Sequence, residues 1–449
     1  MTRVFAISFF CFTLVFLSSC RQDPYLNSSL NPLDIELDDL LSMEAGGLGK
    51  SAYRLPPSNL YQKIPQDPKN SLTSAKIHLG QQLYHETGMA INAKHANGMY
   101  TYSCASCHHA AAGFQAGRQQ GIGDGGVGFG FNGENRFVSP YYDADSIDVQ
   151  PIRTPSALNI AYQTNVLWNG QFGATGVNVG TESKWTEGTP LAVNKLGYEG
   201  TEIQAIAGIT VHRMEVTDDL IDGKHYREYF DQAFPNVPES ERYTNEYAGL
   251  AIAAYERTLL ANQAPFQKWL IGDREAMTDG QKRGAVLFFG QAGCSSCHTG
   301  PALNSMEFYA LGMDNLKGSG IYGGQDDNAN LGRGGFTKNP EDNHKFKVPQ
   351  LYNLKDSPFL GHGGTFLSVR EVIEYKNKAI PSYAEVLNSE LPEEFSPLNL
   401  RNDEIEDLVD FVENALYDPD LERYVPSRLS SGFCFPNNDS VSKNDLGCQ

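Results

Sequence analysis

The chain has 449 residues, of which 40% are hydrophobic, 20% charged and 11% aromatic, and its formal net charge is −19. That length exceeds what one hydrophobic core usually serves, and the balance is that of a globular chain rather than a disordered one. So acidic a surface disfavours nucleic acid and anionic membrane faces, and leaves basic partners such as a small cationic electron carrier.

Arg3 precedes an apolar run from Val4 to Phe16, and Leu17-Ser18-Ser19-Cys20 follows. The run is short for a membrane span and reads as a secretion signal, residues 1–20, whose ending resembles a bacterial lipobox. Cys20 would then be lipidated and anchor the mature protein, preferably at the outer membrane on the periplasmic side. Residues 21–70 are rich in Pro, Asn and Asp without sustained periodicity, which predicts a tether and an irregular arm. From Ser74 the run Lys76 to Tyr84 spaces its apolar residues as a helix does, and Cys104-Ala105-Ser106-Cys107-His108 follows. The segment Gly113 to Gly133 is dense in glycine, as suits a loop lying close to a flat ligand.

Asn245 to Leu260 predicts an amphipathic helix with Tyr247, Leu250, Ala251, Ala254 and Leu259 towards the core and Glu256 and Arg257 away from it. From Asp279 the layout begins again: a helix over Lys282 to Phe289, Cys294-Ser295-Ser296-Cys297-His298, then a Gly/Asn-rich loop from Gly312 to Asp342. Further helices are expected over Ser368 to Tyr375 and Asp403 to Leu416. The fold is therefore mainly helical and built from two copies of one module, 71–264 and 265–425, with a tail at 426–449. In that tail Cys434 and Cys448 are expected to form a disulfide, since an oxidising compartment permits it and the Ser/Asn-rich segment has little else to hold it.

Cys-x-x-Cys-His suits covalent haem attachment, because two thiols a helical turn apart can each join one porphyrin while the following His lies under the iron. A thioredoxin-like pair needs no trailing His, and a zinc site needs more ligands than these. Two haem c groups are expected, held by Cys104, Cys107 and His108 and by Cys294, Cys297 and His298.

Over residues 72–418 the chain resembles the bacterial dihaem cytochrome c peroxidases and their relative MauG. The resemblance rests on Leu79-Gly80-Gln81-Gln82-Leu83-Tyr84, both cysteine motifs, Pro155-Ser156-Ala157-Leu158-Asn159 and Trp168-Asn169-Gly170. It continues through Ala254 to Leu259, Arg283 to Phe289, Pro349-Gln350-Leu351-Tyr352-Asn353-Leu354 and Ser368 to Tyr375. It implies two cytochrome c-like domains whose haems face a shared interface. Hydrogen peroxide would meet the N-terminal haem, and the C-terminal haem would take electrons from a cytochrome c or a cupredoxin. In the MauG manner the substrate would instead be a residue on a partner protein. A homodimer is compatible with this.

The same resemblance places Trp168 between the haems, Gln204 in the peroxide pocket, His362 beside the second haem near a propionate, and Tyr375 as the distal ligand of that haem. The position of the family's catalytic Glu is occupied by Met214. His212 and Glu215 are the nearest substitutes, with Glu215 preferred. No His occurs between His109 and His212, so the first haem is expected to be five-coordinate. The family's inter-haem calcium uses an Asn where this chain has Arg153, although carbonyls near Asp356 and Pro358 remain available. The competing function is a dihaem electron-transfer or redox-sensing protein that has lost the peroxidase Glu.

Overall fold

The computed structural model describes residues 31–323 and 327–448; the expected signal segment and Cys20 lie outside them. Helices dominate, as expected. The sheets among the described residues are two antiparallel pairs, Gly126–Val127 with Phe137–Val138 and Phe308–Tyr309 with Phe346–Lys347. No described helix is long and apolar enough to cross a membrane.

Two helix clusters position the motifs. In the first, Ser74–His85 and Gly200–Val211 both pack on Asn245–Glu256. Thr73 and Thr244 start two of these helices by accepting the backbone N–H groups of Lys76 and Tyr247. In the second, Asp279–Phe289 packs on Asn402–Asp410, which also meets Val369–Lys378. Each cluster contains a crossing just before its cysteine motif that only glycine permits. A Cβ at Gly80 would lie 1.9 Å from the Ala251 carbonyl oxygen, and one at Gly284 would lie 2.0 Å from that of Asp407. The two glycines precede the two cysteine motifs, so the duplication read from the sequence recurs as the same helix contact.

The arm departs from expectation. Pro32–Glu44 is a helix, with Asn31 capping it and Pro32 opening it. Leu37 and Leu41, one turn apart, are fully buried against Asp279–Phe289. Asp34 accepts a hydrogen bond from Trp269 Nε1 at 2.7 Å and pairs with Lys282 Nζ at 3.0 Å. Both charges are buried, so removing one strands the other. Asp34→Ala is expected to lower stability by about 3–5 kcal/mol, measurable as a shift of the urea midpoint at unchanged m-value.

Two further expectations change. Glu256 and Arg257 are not on a solvent face: both are buried, and the Arg257 guanidinium is held by Glu202 at 2.6 Å and Glu199 at 2.9 Å. The tail carries the expected Cys434–Cys448 disulfide, but it has much more to hold it. Ser106 Oγ donates to Asn437 Oδ1 at 2.5 Å, Ser103 Oγ to the Pro436 carbonyl at 2.9 Å, and the backbone N–H of Gly128 to Asp439 at 3.1 Å. The tail is therefore built onto the loop of the first motif.

Candidate functional site

Each motif is a single tight turn, Cys104–Ser106 and Cys294–Ser296, closed by the His108 N–H on the Cys104 carbonyl at 3.1 Å and the His298 N–H on that of Cys294 at 3.0 Å. The four thiols are free of disulfides. His108 Nδ1 lies 3.2 Å from the Phe114 carbonyl, and His298 Nδ1 lies 2.9 Å from that of Leu303 and 3.1 Å from that of Pro349. A carbonyl only accepts, so each Nδ1 carries the proton and each Nε2 keeps its lone pair. Burial holds both imidazoles down to about 4, which keeps them in the neutral form a metal requires.

The Pro-x-x-x-Asn blocks have a physical explanation. Asn159 and Asn353 are both left-handed, at φ 58° and 54°. The Asn159 side chain accepts the Ala261 N–H at 3.0 Å, and that of Asn353 accepts the Asp418 N–H at 3.1 Å. Each block thus ties a histidine loop to the segment that leaves the helix at its back.

His108, Trp168 and His298 line one continuous cavity. Cys294 and Cys297 also line it, and its walls are mainly apolar side chains such as Ile160, Val166 and Val412. Two histidines with free Nε2 atoms, a pair of thiols just before each in sequence and a mainly apolar cavity between them suit two porphyrins.

The remaining predicted residues separate around this cavity. Trp168 lines the cavity and donates from Nε1 to the Arg153 carbonyl at 2.7 Å. His362 lines the cavity, stacks on Phe346 at 3.6 Å and has Nε2 3.0 Å from Asn315 Oδ1. Gln204 also lines it. One and two turns on from Gln204, Gly208 and His212 continue the same face: a Cβ at Gly208 would lie 3.3 Å from Gln204 Nε2 and 4.0 Å from His212 Cδ2. His212 itself is outside the cavity lining, and its Nδ1 is 2.8 Å from Asp148 Oδ2. Burial pulls the His212 imidazole down, but the charge and hydrogen bond of Asp148 outweigh it, and the net shift is upward.

Glu215 is elsewhere: it is exposed and accepts from Asn92 Nδ2 at 2.8 Å. Met214 is buried. Tyr375 is outside the cavity lining, with its hydroxyl donating to the Leu311 carbonyl at 2.6 Å, whereas its neighbour Lys376 lines the cavity. His109 is buried against Phe129, also away from the cavity.

Sequence reasoning missed Glu256, Asp148 and Lys376. Glu256 lines the cavity with Oε2 unpartnered, and burial, with the Glu202 charge, pushes its carboxyl up to about 8. It was hidden because an acid in an amphipathic helix reads as surface.

The family profile for di-haem cytochrome c peroxidase matches residues 74–275. The cytochrome-c peroxidase IdrP1 of Denitromonas iodatirespirans is 29% identical over 80% of this chain and 86% of its own length. The methylamine utilization protein MauG of Methylorubrum extorquens is 26% identical over 82% and 85%. The chain is thus similar to the dihaem cytochrome c peroxidases and to MauG over most of its length. That likeness supports haem as cofactor and peroxidase-like oxidoreductase chemistry. The fold agrees: the crystal structure of a MauG-like protein associated with microbial copper homeostasis superimposes with a TM-score of 0.55 at 21% identity, covering 83% of this chain and 96% of that one.

Calcium does not fit at the position the family suggests. Arg153 is buried, and its guanidinium donates to the carbonyls of Ala116 at 2.8 Å and Phe359 at 3.1 Å, to that of Arg118, and to Ser357 Oγ at 2.5 Å. Oxygens from two distant stretches of chain converge there on a fixed cation, and none of the described residues forms a metal-binding cluster of carboxylates, histidines and cysteines.

Proposed function

We propose that the protein is a periplasmic dihaem c-type peroxidase. It reduces hydrogen peroxide at the haem held by Cys104, Cys107 and His108, with electrons relayed from the haem held by Cys294, Cys297 and His298. The observation that carries this is the single cavity joining His108, Trp168 and His298. Haem would supply the iron at which the O–O bond breaks. Two electrons and two protons then convert one peroxide into two waters, and the chain must bind the peroxide and manage those protons.

Gln204, on the cavity wall, is suited to orient peroxide through its amide. His212 takes the role of the family's Glu: its imidazole, held by Asp148, accepts the first proton and returns it to the departing oxygen. Trp168 offers the aromatic path between the two sites. The acidic surface suits a small basic cytochrome or cupredoxin as donor, or a basic partner protein oxidised in the MauG manner. Arg153 replaces calcium. The tail disulfide and the N-terminal sequence support export, with lipid attachment at Cys20.

Holoprotein given hydrogen peroxide and a reduced cytochrome is expected to oxidise two donor molecules per peroxide, and Trp168→Ala to slow the transfer of electrons between the sites more than peroxide binding. Methionine at the family's Glu position favours one competing function, electron transfer or redox sensing. No donor oxidation with any of several carriers would establish that reading instead.

A further inference from the structure

Val369, Val372, Ile373 and Lys376 all line the cavity, and they fall on the helix Val369–Lys378 at the i, i+3, i+4 and i+7 positions of one face. Of the two neighbours at the end of this face, Lys376 lines the cavity and Tyr375 does not. Tyr375 is the one turned out, its ring against Phe366 and Phe395 at 5.0 and 5.3 Å and its hydroxyl on the Leu311 carbonyl. We propose that the Lys376 amine, rather than the Tyr375 phenol, is the distal ligand of the second haem, opposite His298. This rests on the reading of Cys294, Cys297 and His298 as a haem site.

Two observations support it. Lys376 lines the cavity together with Cys294, Cys297 and His298. The contact recorded for its Nζ among the described residues is the Phe395 ring at 5.3 Å, a weak partner for a cation in an apolar wall. The ammonium must give up one proton before its nitrogen can bind a metal. Binding releases that proton to solvent and gives the nitrogen lone pair to the iron, with no change of oxidation state. An amine favours ferric iron over ferrous more than a thioether does, so this haem would hold oxidising equivalents where a Met-ligated one would pass electrons on.

The test uses holoprotein grown with lysine labelled with ¹⁵N at Nζ. Two haems per chain by absorbance of the denatured pigment is the prerequisite; fewer would sink the underlying haem assignment and not merely the ligand. Pulsed electron paramagnetic resonance of the low-spin ferric signal is then expected to show coupling to one ¹⁵N. Lys376→Ala should abolish that signal in favour of a second high-spin haem. Lys376→Met should keep a low-spin haem without the coupling and raise its potential. Tyr375→Phe and Met313→Leu, the latter removing the thioether on the same cavity wall, should leave the coupling in place. Absence of ¹⁵N coupling in the unsubstituted protein overturns the proposal, whether or not the variants fold. So does a low-spin signal lost in Tyr375→Phe or Met313→Leu.

Discussion

Replacing His212 by Ala is expected to cut kcat for peroxide reduction by about 10²–10⁴-fold, the usual contribution of a positioned proton-transfer group. Glu215→Gln should leave turnover unchanged, because that carboxylate is exposed and bonded to Asn92. The pH profile separates a catalytic from a structural role. The imidazole must be neutral to take a proton, so activity should rise with pH through the His212 pKa, which Asp148 holds above its ordinary value. Asp148→Asn removes the raising charge and should move the acid limb to lower pH. Stability follows the same linkage: a folded-state pKa above the unfolded value stabilises at low pH and loses that contribution as pH rises through the folded pKa. Asp148→Asn should therefore cost more stability at acidic than at alkaline pH. An acid limb that stays in place would remove the dyad from the chemistry.

Arg153→Met is expected to destabilise the protein by about 1–3 kcal/mol for each buried oxygen left without its donor. The guanidinium collects acceptors from residues 116–118 in the first half and from Ser357 and Phe359 in the second, and its own carbonyl accepts the Trp168 indole. Loss should therefore also disturb the position of Trp168 and slow electron transfer between the sites. For the same reason, a chelator should leave the melting temperature and activity of the native protein unchanged, since the cation here is covalent. A fall in Tm with EDTA, restored by Ca²⁺, would contradict this.

How much of this was legible in the sequence depends on the kind of signal. The duplicated motifs and the helices before them could be read because both obey fixed spacings, and glycines 80 and 284 recur at equivalent crossings. A tyrosine was sought at the end of the helix Val369–Lys378, and Tyr375 is turned out of the cavity lining while Lys376 is in it. The spacing of Val369, Val372, Ile373 and Lys376 already points the cavity face at the lysine. The arm was read as irregular because its Pro and Asp residues resemble a linker, yet Asn31-Pro32 with Leu37 and Leu41 is a helix start followed by a buried stripe. The burial of Glu256 and Arg257 was not legible: it depends on Glu199 and Glu202, distant in sequence, arriving to neutralise the arginine.

Asn437 and Pro436 accept hydrogen bonds from Ser106 and Ser103, which sit between and just before the first pair of thiols. A polypeptide is made from its N-terminus, so these bonds across the turn bearing Cys104 and Cys107 form only after some 330 further residues have been made. On the proposed function, that delay leaves both thiols within reach of a haem-attachment machinery until this late segment arrives, in the manner of a stopper fitted afterwards.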